Sequence, residues 1–137
     1  MQRKIKVYLA GQMNEHDNDW KEKFKTMPEF DFHDWEFDSD QTSPDTFFPD
    51  DLNGIKWANF MVANPGIAPS EATWAETGYF YSHNVKKPGD FCHKLIIVWK
   101  KDRNPKWSIK FIKKMGHVVS SVNEAKKKLK KIAIDNF

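Results

Sequence analysis

The chain lacks the sequence features that would place it in a membrane or outside the cell. Its single cysteine, Cys92, excludes an internal disulfide and a multi-cysteine zinc site. The longest purely apolar run covers residues 95–99, far below the roughly 20 residues that span a bilayer. Residues 1–6 contain no apolar signal-peptide segment. We therefore expect a small cytoplasmic protein with no membrane partner.

Several common catalytic motifs are also missing. The sequence contains no G-x-G-x-x-G and no G-x-x-x-x-G-K-[ST], so it lacks the usual phosphate cradles of dinucleotide-binding and P-loop proteins. It has no G-x-S-x-G nucleophile elbow either. The five histidines show no metal-ligand spacing. We expect neither a cofactor nor a metal.

Bulky apolar residues are present in sufficient number to build a core. Six Trp, eleven Phe and three Tyr occur among 137 residues, although 30% of the residues are charged. The mean hydropathy of -0.74 is polar for a globular chain, but the composition is not that of a disordered one. Because domains run to roughly 100–200 residues, we predict one domain over residues 1–137.

The formal net charge of +3 hides an uneven distribution. Residues 14–51 carry thirteen acidic residues and three lysines, whereas residues 86–137 carry fifteen basic and four acidic residues. Such asymmetry indicates either interaction segments, including a basic nucleic-acid patch, or two solvated faces. In helical projection the lysines of residues 126–131 lie opposite the apolar residues Val122, Ala125, Leu129 and Ile132. We favour a solvated face and do not expect a nucleic-acid partner.

Strand and helix patterns alternate along the chain. Strand patterns cover residues 4–10, 30–35, 60–63, 94–99 and 118–119. Helical patterns cover residues 17–26, 49–57, 70–83 (beginning at Ser70 or Thr73), 106–115 and the segment after Ser121. This alternation predicts an α/β fold, namely a flavodoxin-like (Rossmann-like) doubly wound sheet of about five parallel strands with helices on both faces.

In such a sheet, ligands bind beyond the carboxyl ends of the strands, at the switch point of the strand order. Polar groups fall near these ends: Tyr8 in the first strand, Asp51 in the second helix and Glu76 in the third, with Ser70 where the third helix begins. One carboxylate at this position can attack a sugar carbon while a second carboxyl donates a proton. That chemistry needs no metal.

Each of these residues also has a purely structural interpretation, which the pattern alone favours. Thr73 and Glu76 have the spacing of a capping box, in which the glutamate bonds to the helix end. Asp51 follows a proline in a predicted first helical turn, where the helix dipole favours carboxylates. Tyr8 suits ordinary strand packing, and Ser70 suits a helix cap.

Three separate segments resemble one known family. Residues 7–11 (VYLAG) resemble its opening strand, residues 51–56 (DLNGIK) its Asp-Leu-Asn-Gly-Ile-Lys segment, and residues 76–79 (ETGY) with Lys87-Pro88 its Glu-x-Gly-Tyr…Lys-Pro signature. The family is that of the nucleoside 2-deoxyribosyltransferases and their nucleotide N-glycosidase relatives. The resemblance is ordered and correctly spaced over residues 4–99 and thins out towards the carboxyl terminus.

The resemblance implies cleavage of the N-glycosidic bond of 2′-deoxynucleosides, with transfer of the deoxyribosyl group to another base and without a cofactor. It implies that Glu76 is the nucleophile that forms the covalent intermediate, that Tyr8 positions it, and that Asp51 protonates the leaving base. We also assign substrate-binding positions in the matching segments and in the loop before the third helix, at Gly11, Ser70 and Gly78.

The sequence departs from the transferase pattern at Ser70, where transferases carry an aspartate that contacts the sugar. A serine there resembles the nucleoside 5′-monophosphate hydrolases, where it helps to hold the phosphate, and Glu71 beside it leaves open which residue replaces the aspartate. The alternatives are therefore a hydrolase of 2′-deoxynucleoside 5′-monophosphates and a non-catalytic nucleotide- or nucleic-acid-binding module. Because the family completes each site from a neighbouring subunit, the resemblance also implies a homo-oligomer.

Overall fold

The computed structural model describes residues 4–11, 19–34, 38–67 and 69–136. Within them, strands and helices alternate in the order β1 (Ile5–Ala10), α1 (Trp20–Lys25), β2 (Phe30–Asp34), α2 (Pro44–Trp57), β3 (Phe60–Ala63), α3 (Glu71–His83), β4 (Cys92–Val98), α4 (Ile109–Met115), β5 (Gly116–Val119) and α5 (Val122–Asn136). A 3-10 turn at Lys106–Ser108 precedes α4. Residues 17, 18 and 35, which belong to two of the predicted elements, lie outside the described residues.

All five strands are parallel, and their order across the sheet is β2-β1-β3-β4-β5. This confirms the predicted flavodoxin-like α/β fold. The chain moves outward from β1 to β2 and then returns to add β3 on the other side of β1. The switch point therefore lies between β1 and β3, where connecting loops diverge and leave a crevice at the carboxyl ends of the strands.

Alternating side chains of β1 face two separate core layers. Val7 and Leu9 pack with α1 and α5, whereas Tyr8 and Ala10 pack with α2, α3 and α4. All four side chains are fully buried. Because successive strand residues point to opposite faces, this register directs the Tyr8 ring towards the two helices that carry Asp51 and Glu76.

The apolar side of α5 covers one face of the sheet, as predicted. Val122, Ala125, Leu129 and Ile132 are all buried in the first core layer. The lysines between 126 and 131 are exposed or half-buried on the remaining surface of the helix. None of the described helices is long and apolar enough to cross a membrane.

Helix α2 begins five residues before the predicted start at Pro49. Pro44 is its first residue, and Ser43 precedes it with its backbone N–H donating to the Thr46 hydroxyl at 3.2 Å. Either proline suits a first helical turn, but the Ser43–Thr46 cap selects the earlier one. Asp51 therefore lies in the middle of the helix, so the predicted first-turn dipole explanation for this carboxylate is wrong.

Two glycines provide a matched test of the backbone, since Gly11 lies beside the crevice and Gly78 lies inside α3. Gly11 has a φ of +143°, and a Cβ atom there would lie 2.4 Å from the carbonyl oxygen of Asn64. We expect Gly11→Ala to lower the free energy of unfolding by about 1–3 kcal/mol. Gly78 lies inside α3 with nothing within 4 Å of its added Cβ, so Gly78→Ala should raise it by about 0.5–1 kcal/mol. Urea unfolding measures both, and a Gly11→Ala variant as stable as wild type contradicts the described turn.

Candidate active site

A hydrogen bond between Tyr8 and Glu76 connects β1 to α3. The Tyr8 hydroxyl donates to Oε2 of Glu76. Burial, and next the negative charge of Glu76, raise the pKa of Tyr8 far above its ordinary value. The phenol therefore keeps its proton and donates a hydrogen bond to the ionised glutamate. This contact fixes the orientation of the Glu76 carboxyl group.

The capping-box interpretation of Glu76 is wrong. Helix α3 begins at Glu71, with Ser70 in the N-cap position, so Thr73 already lies inside the helix. The Thr73 carbonyl accepts a hydrogen bond from the Thr77 hydroxyl at 2.7 Å. Because Glu76 is in the second turn, its side chain does not reach the helix end and instead extends to Tyr8.

Asp51 belongs to a second chain of hydrogen bonds. The Ser39 hydroxyl donates to Oδ1 of Asp51 at 2.5 Å, and Nε2 of His33 lies 3.2 Å from the same hydroxyl. Because Ser39 gives its one proton to Asp51, the histidine is the donor in the second bond. The His33 ring stacks on Tyr8 with centroids 5.2 Å apart, and it packs so closely on Gly54 that a Cβ there would lie 2.7 Å from Nε2.

His33 and Ser39 were not predicted from the sequence as site residues. The alternating pattern of residues 30–35 did place His33 on a strand, and the structure pairs His33 directly with Tyr8 across β2 and β1. That pairing depends on β2 and β1 being neighbours in the sheet, which the pattern of one strand does not reveal. Ser39 lies between the second strand pattern and the second helical pattern, in a segment for which no role was predicted.

One cavity of about 260 Å³ brings several predicted residues together. Its lining residues are Gly11, Gln41, Phe47, Asp51, Ala72, Thr73 and Glu76. Tyr8 is fully buried and meets the cavity through Glu76. Gly78 lies elsewhere, since it lines a separate apolar cavity behind α3 with Trp74 and Phe111. The two carboxyl groups expected to carry the chemistry thus share one small space, whereas Gly78 does not adjoin it.

Ser70 is not among the residues that line this cavity. It occupies the N-cap position of α3 with a left-handed φ of +58°. Its hydroxyl donates to the Pro65 carbonyl at 2.6 Å and makes no capping hydrogen bond to the helix. Ser70 therefore holds the loop before α3 together rather than capping the helix with its side chain. Its neighbour Glu71 is exposed.

The shared cavity raises the pKa values of both carboxyl groups. Burial raises the pKa of Glu76 to about 7; the negative charge of Asp51 adds to this effect and the Tyr8 hydrogen bond opposes it. Burial also raises the pKa of Asp51, and the Ser39 hydrogen bond opposes that change. Burial lowers the pKa of His33. A pKa of about 7 allows Glu76 to change its protonation state near neutral pH, the range in which acid–base catalysts work.

A buried ion pair lies at the end of β2. Nζ of Lys21 is 3.0 Å from Oδ1 of Asp34, and each side chain is 1% exposed. Nζ of Lys25 is 2.8 Å from the other oxygen of the same carboxylate. The positive charge of Lys21 counteracts the upward pKa shifts of Glu76 and Asp51. The Lys21 charge therefore favours ionised carboxylates in the cavity.

No group of three or more potential metal ligands occurs among the described histidine, cysteine, aspartate and glutamate residues. Cys92 is buried at the first residue of β4, at the amino end of the strands, whereas the cavity lies at their carboxyl ends. The cavity is instead lined by the carboxyl groups of Glu76 and Asp51, which are of the type used in proton transfer and nucleophilic attack.

The comparison with solved structures identifies a similar molecule. The chain is similar to the CMP N-glycosidase BcmB of Clostridium botulinum, with a TM-score of 0.64 and 21% sequence identity over 92% of this chain and 98% of that one. This chain has the fold of that N-glycosidase. The resemblance drawn from residues 4–99 is thereby confirmed in its fold. No protein-family model and no curated protein matches the chain.

The raised pKa of Glu76 predicts a pH-dependent effect on stability. The ordinary pKa of this carboxyl is 4.5, and its pKa in the folded protein is about 7. Between these two pH values the folded protein binds more protons than the unfolded chain, so ionisation of Glu76 destabilises the fold as pH rises. Because glutamine stays neutral, Glu76→Gln should gain about 1–3 kcal/mol of stability over wild type at pH 8 and almost nothing at pH 5. Urea unfolding at both pH values measures this.

The exposed Glu29, which precedes β2 at the amino end of the strands, provides the control for that measurement. Glu29→Gln removes one carboxylate without changing the cavity, so its effect should be small at both pH values. A gain for Glu76→Gln that is equal at pH 5 and pH 8 contradicts a buried, titrating Glu76.

Proposed function

We propose that the protein is an N-glycosidase that hydrolyses the bond between base and sugar in a nucleoside 5′-monophosphate. The observation that carries this proposal is the single cavity in which Glu76, oriented by Tyr8, adjoins Asp51. The fold shared with a CMP N-glycosidase supports the same chemistry. The sequence resemblance supports the residue roles.

In the first step, the ionised Glu76 carboxylate attacks C1′ of the sugar. The bond between C1′ and the base nitrogen breaks, and its electron pair leaves with the base. Asp51 in its protonated form gives its proton to that nitrogen, which the raised pKa of this carboxyl favours. The products of this step are the neutral base, an ionised Asp51 and a glycosyl ester on Glu76.

In the second step, water replaces the base. The Asp51 carboxylate takes a proton from the water as its oxygen attacks C1′, and the bond between C1′ and Glu76 breaks to release the free sugar phosphate. Two inversions at C1′ give net retention. The hydrogen bonds from His33 through Ser39 hold Asp51 in place for both proton transfers.

Hydrolysis rather than transfer is the reaction that Ser70 supports. An aspartate at this position would repel a phosphate, whereas a serine, whose hydroxyl bonds to the Pro65 carbonyl, adds no negative charge near the N-terminus of α3. The family resemblance also supports assembly as a homo-oligomer. The exposed aromatic side chains Trp107 and Phe111 near the start of α4 offer an apolar surface for a second copy.

Incubation with nucleosides and with nucleoside 5′-monophosphates, in the ribo and deoxyribo series, tests the proposed activity. We expect release of base from monophosphates in wild type and a loss of at least about 10³-fold in Glu76→Gln, because the nucleophile is removed. Glu29→Gln should retain the wild-type rate, since Glu29 is exposed at the amino end of the strands, away from the cavity. Chromatography of the free base measures the rate.

Addition of a second free base distinguishes the alternatives. Base exchange faster than base release identifies a transferase, whereas release alone identifies a hydrolase. The non-catalytic alternative predicts no turnover and a nucleotide affinity that survives Glu76→Gln. Turnover that is unchanged in Glu76→Gln contradicts the covalent mechanism.

The pH profile of Tyr8→Phe tests how Glu76 is activated. The acid limb of kcat/KM should report the ionisation of Glu76 near pH 7. Because the Tyr8 hydrogen bond lowers that pKa, its removal should move the limb to higher pH and reduce kcat/KM at pH 7 by about 10- to 100-fold. Tyr81→Phe is the control, since Tyr81 bonds to the Asp90 carbonyl behind α3. A limb that stays in place in Tyr8→Phe rules out this role.

A further inference from the structure

Arg103 is a buried cation that lies outside the candidate active site. It is 4% exposed and belongs to the loop between β4 and α4. Its Nη1 atom donates to the Gly66 carbonyl at 2.9 Å, and its Nη2 atom donates to the Pro69 carbonyl at 3.3 Å. Both carbonyls belong to the loop that joins β3 to α3. One guanidinium group thus connects the loop after β4 with the loop that leads into the helix of Glu76.

The same guanidinium group also packs on two indole rings. Its central carbon lies 5.1 Å from the ring centroid of Trp74 and 5.2 Å from that of Trp99. Trp74 is in the first turn of α3 and Trp99 follows β4, and their rings are 6.2 Å apart. Only arginine combines a planar face for such packing with two parallel donors, so lysine cannot reproduce these contacts.

The loop that Arg103 holds ends in an unfavourable backbone conformation. Ser70 has a left-handed φ of +58°, which its Cβ atom disfavours. Such conformations persist only where surrounding contacts impose them. The contacts here are the hydrogen bond from the Ser70 hydroxyl to the Pro65 carbonyl and the bond from Arg103 to Pro69, the residue directly before Ser70.

We propose that Arg103 is a positioning residue for the reaction. It holds the loop between β3 and α3, and with it the left-handed Ser70 and the first turn of α3, and so keeps Glu76 in the correct position in the cavity. This role rests on the proposed N-glycosidase function. Arg103 does not touch the reacting atoms: it acts through two backbone carbonyls and through Trp74.

The variant Arg103→Lys tests this role. Lysine keeps the positive charge but has only one donor nitrogen and no planar face. We expect kcat/KM for the preferred nucleotide to fall by about 10- to 100-fold, as small displacements of positioned groups do. The acid limb of the pH profile should move less than in Tyr8→Phe, because the Tyr8 hydroxyl that bonds to Glu76 is still present. Lys101→Ala, exposed in the same loop, should behave as wild type. An unchanged kcat/KM in Arg103→Lys overturns the proposal.

Hydrogen–deuterium exchange tests the same role without any activity. In Arg103→Lys, amides from Asn64 to Thr73 should exchange at least about 10-fold faster, while those of β1 and α5 keep their wild-type rates. Equal exchange in the loop overturns the proposal, and so does faster exchange throughout the chain, which indicates general destabilisation. Absence of turnover in the wild-type protein contradicts the proposed N-glycosidase function, and the loop exchange still decides whether Arg103 holds the loop.

A double-mutant cycle with Ser70→Gly shows whether Arg103 imposes the left-handed turn. Glycine adopts a positive φ without penalty, so the loop then needs less support. Arg103→Lys should therefore lower Tm less in combination with Ser70→Gly than by itself. Equal reductions in Tm in both backgrounds contradict the coupling between Arg103 and Ser70.

Discussion

The candidate site depends on one hydrogen bond, that from the Tyr8 hydroxyl to Glu76. A carboxyl group buried in a protein strongly prefers to be neutral, yet a nucleophile must be ionised. The Tyr8 phenol resolves part of this conflict, because it keeps its own proton and donates to the glutamate. The register of β1, which turns Tyr8 towards α2 and α3, is therefore a requirement of the proposed chemistry as well as of the packing.

The electrostatics of the cavity are a balance of opposing effects. Burial and mutual repulsion favour protonated carboxyl groups at Glu76 and Asp51, whereas Tyr8, Ser39 and the Lys21 charge favour ionised ones. The balance leaves the pKa of Glu76 at about 7, where both of its protonation states are populated at neutral pH. A better-solvated glutamate would ionise more easily and stabilise the fold, but the carboxylate would be a weaker nucleophile behind its hydration shell. In the proposed mechanism, the burial of Glu76 therefore lowers the stability of the fold and raises the reactivity of this carboxylate.

The fold could be predicted because each strand is either a short apolar run or an alternating pattern, and because helical patterns with clear breaks separate the strands. Tyr8, Asp51 and Glu76 were identifiable by resemblance, and the structure places them as neighbours around one cavity. The start of α2 was wrong because Pro44 and Pro49 both suit a first turn, and only a contact between Ser43 and Thr46 decides between them. His33 was not identifiable, since its role follows from β2 lying beside β1 and from Gly54 leaving room for its ring. Such information depends on tertiary structure and is absent from any single segment.

Helix α3 is held from two sides, and this arrangement explains how one glutamate can be placed accurately by a short helix. Successive helical residues are about 100° apart, so Trp74 and Glu76 point in nearly opposite directions. On one side Tyr8 bonds to Glu76, and on the other Arg103 packs on Trp74. A rotation of α3 that relaxed either contact would disturb the other. The orientation of the Glu76 carboxyl therefore results from both faces of the helix, and the contacts behind α3 belong to the physical basis of the site as much as those that line it.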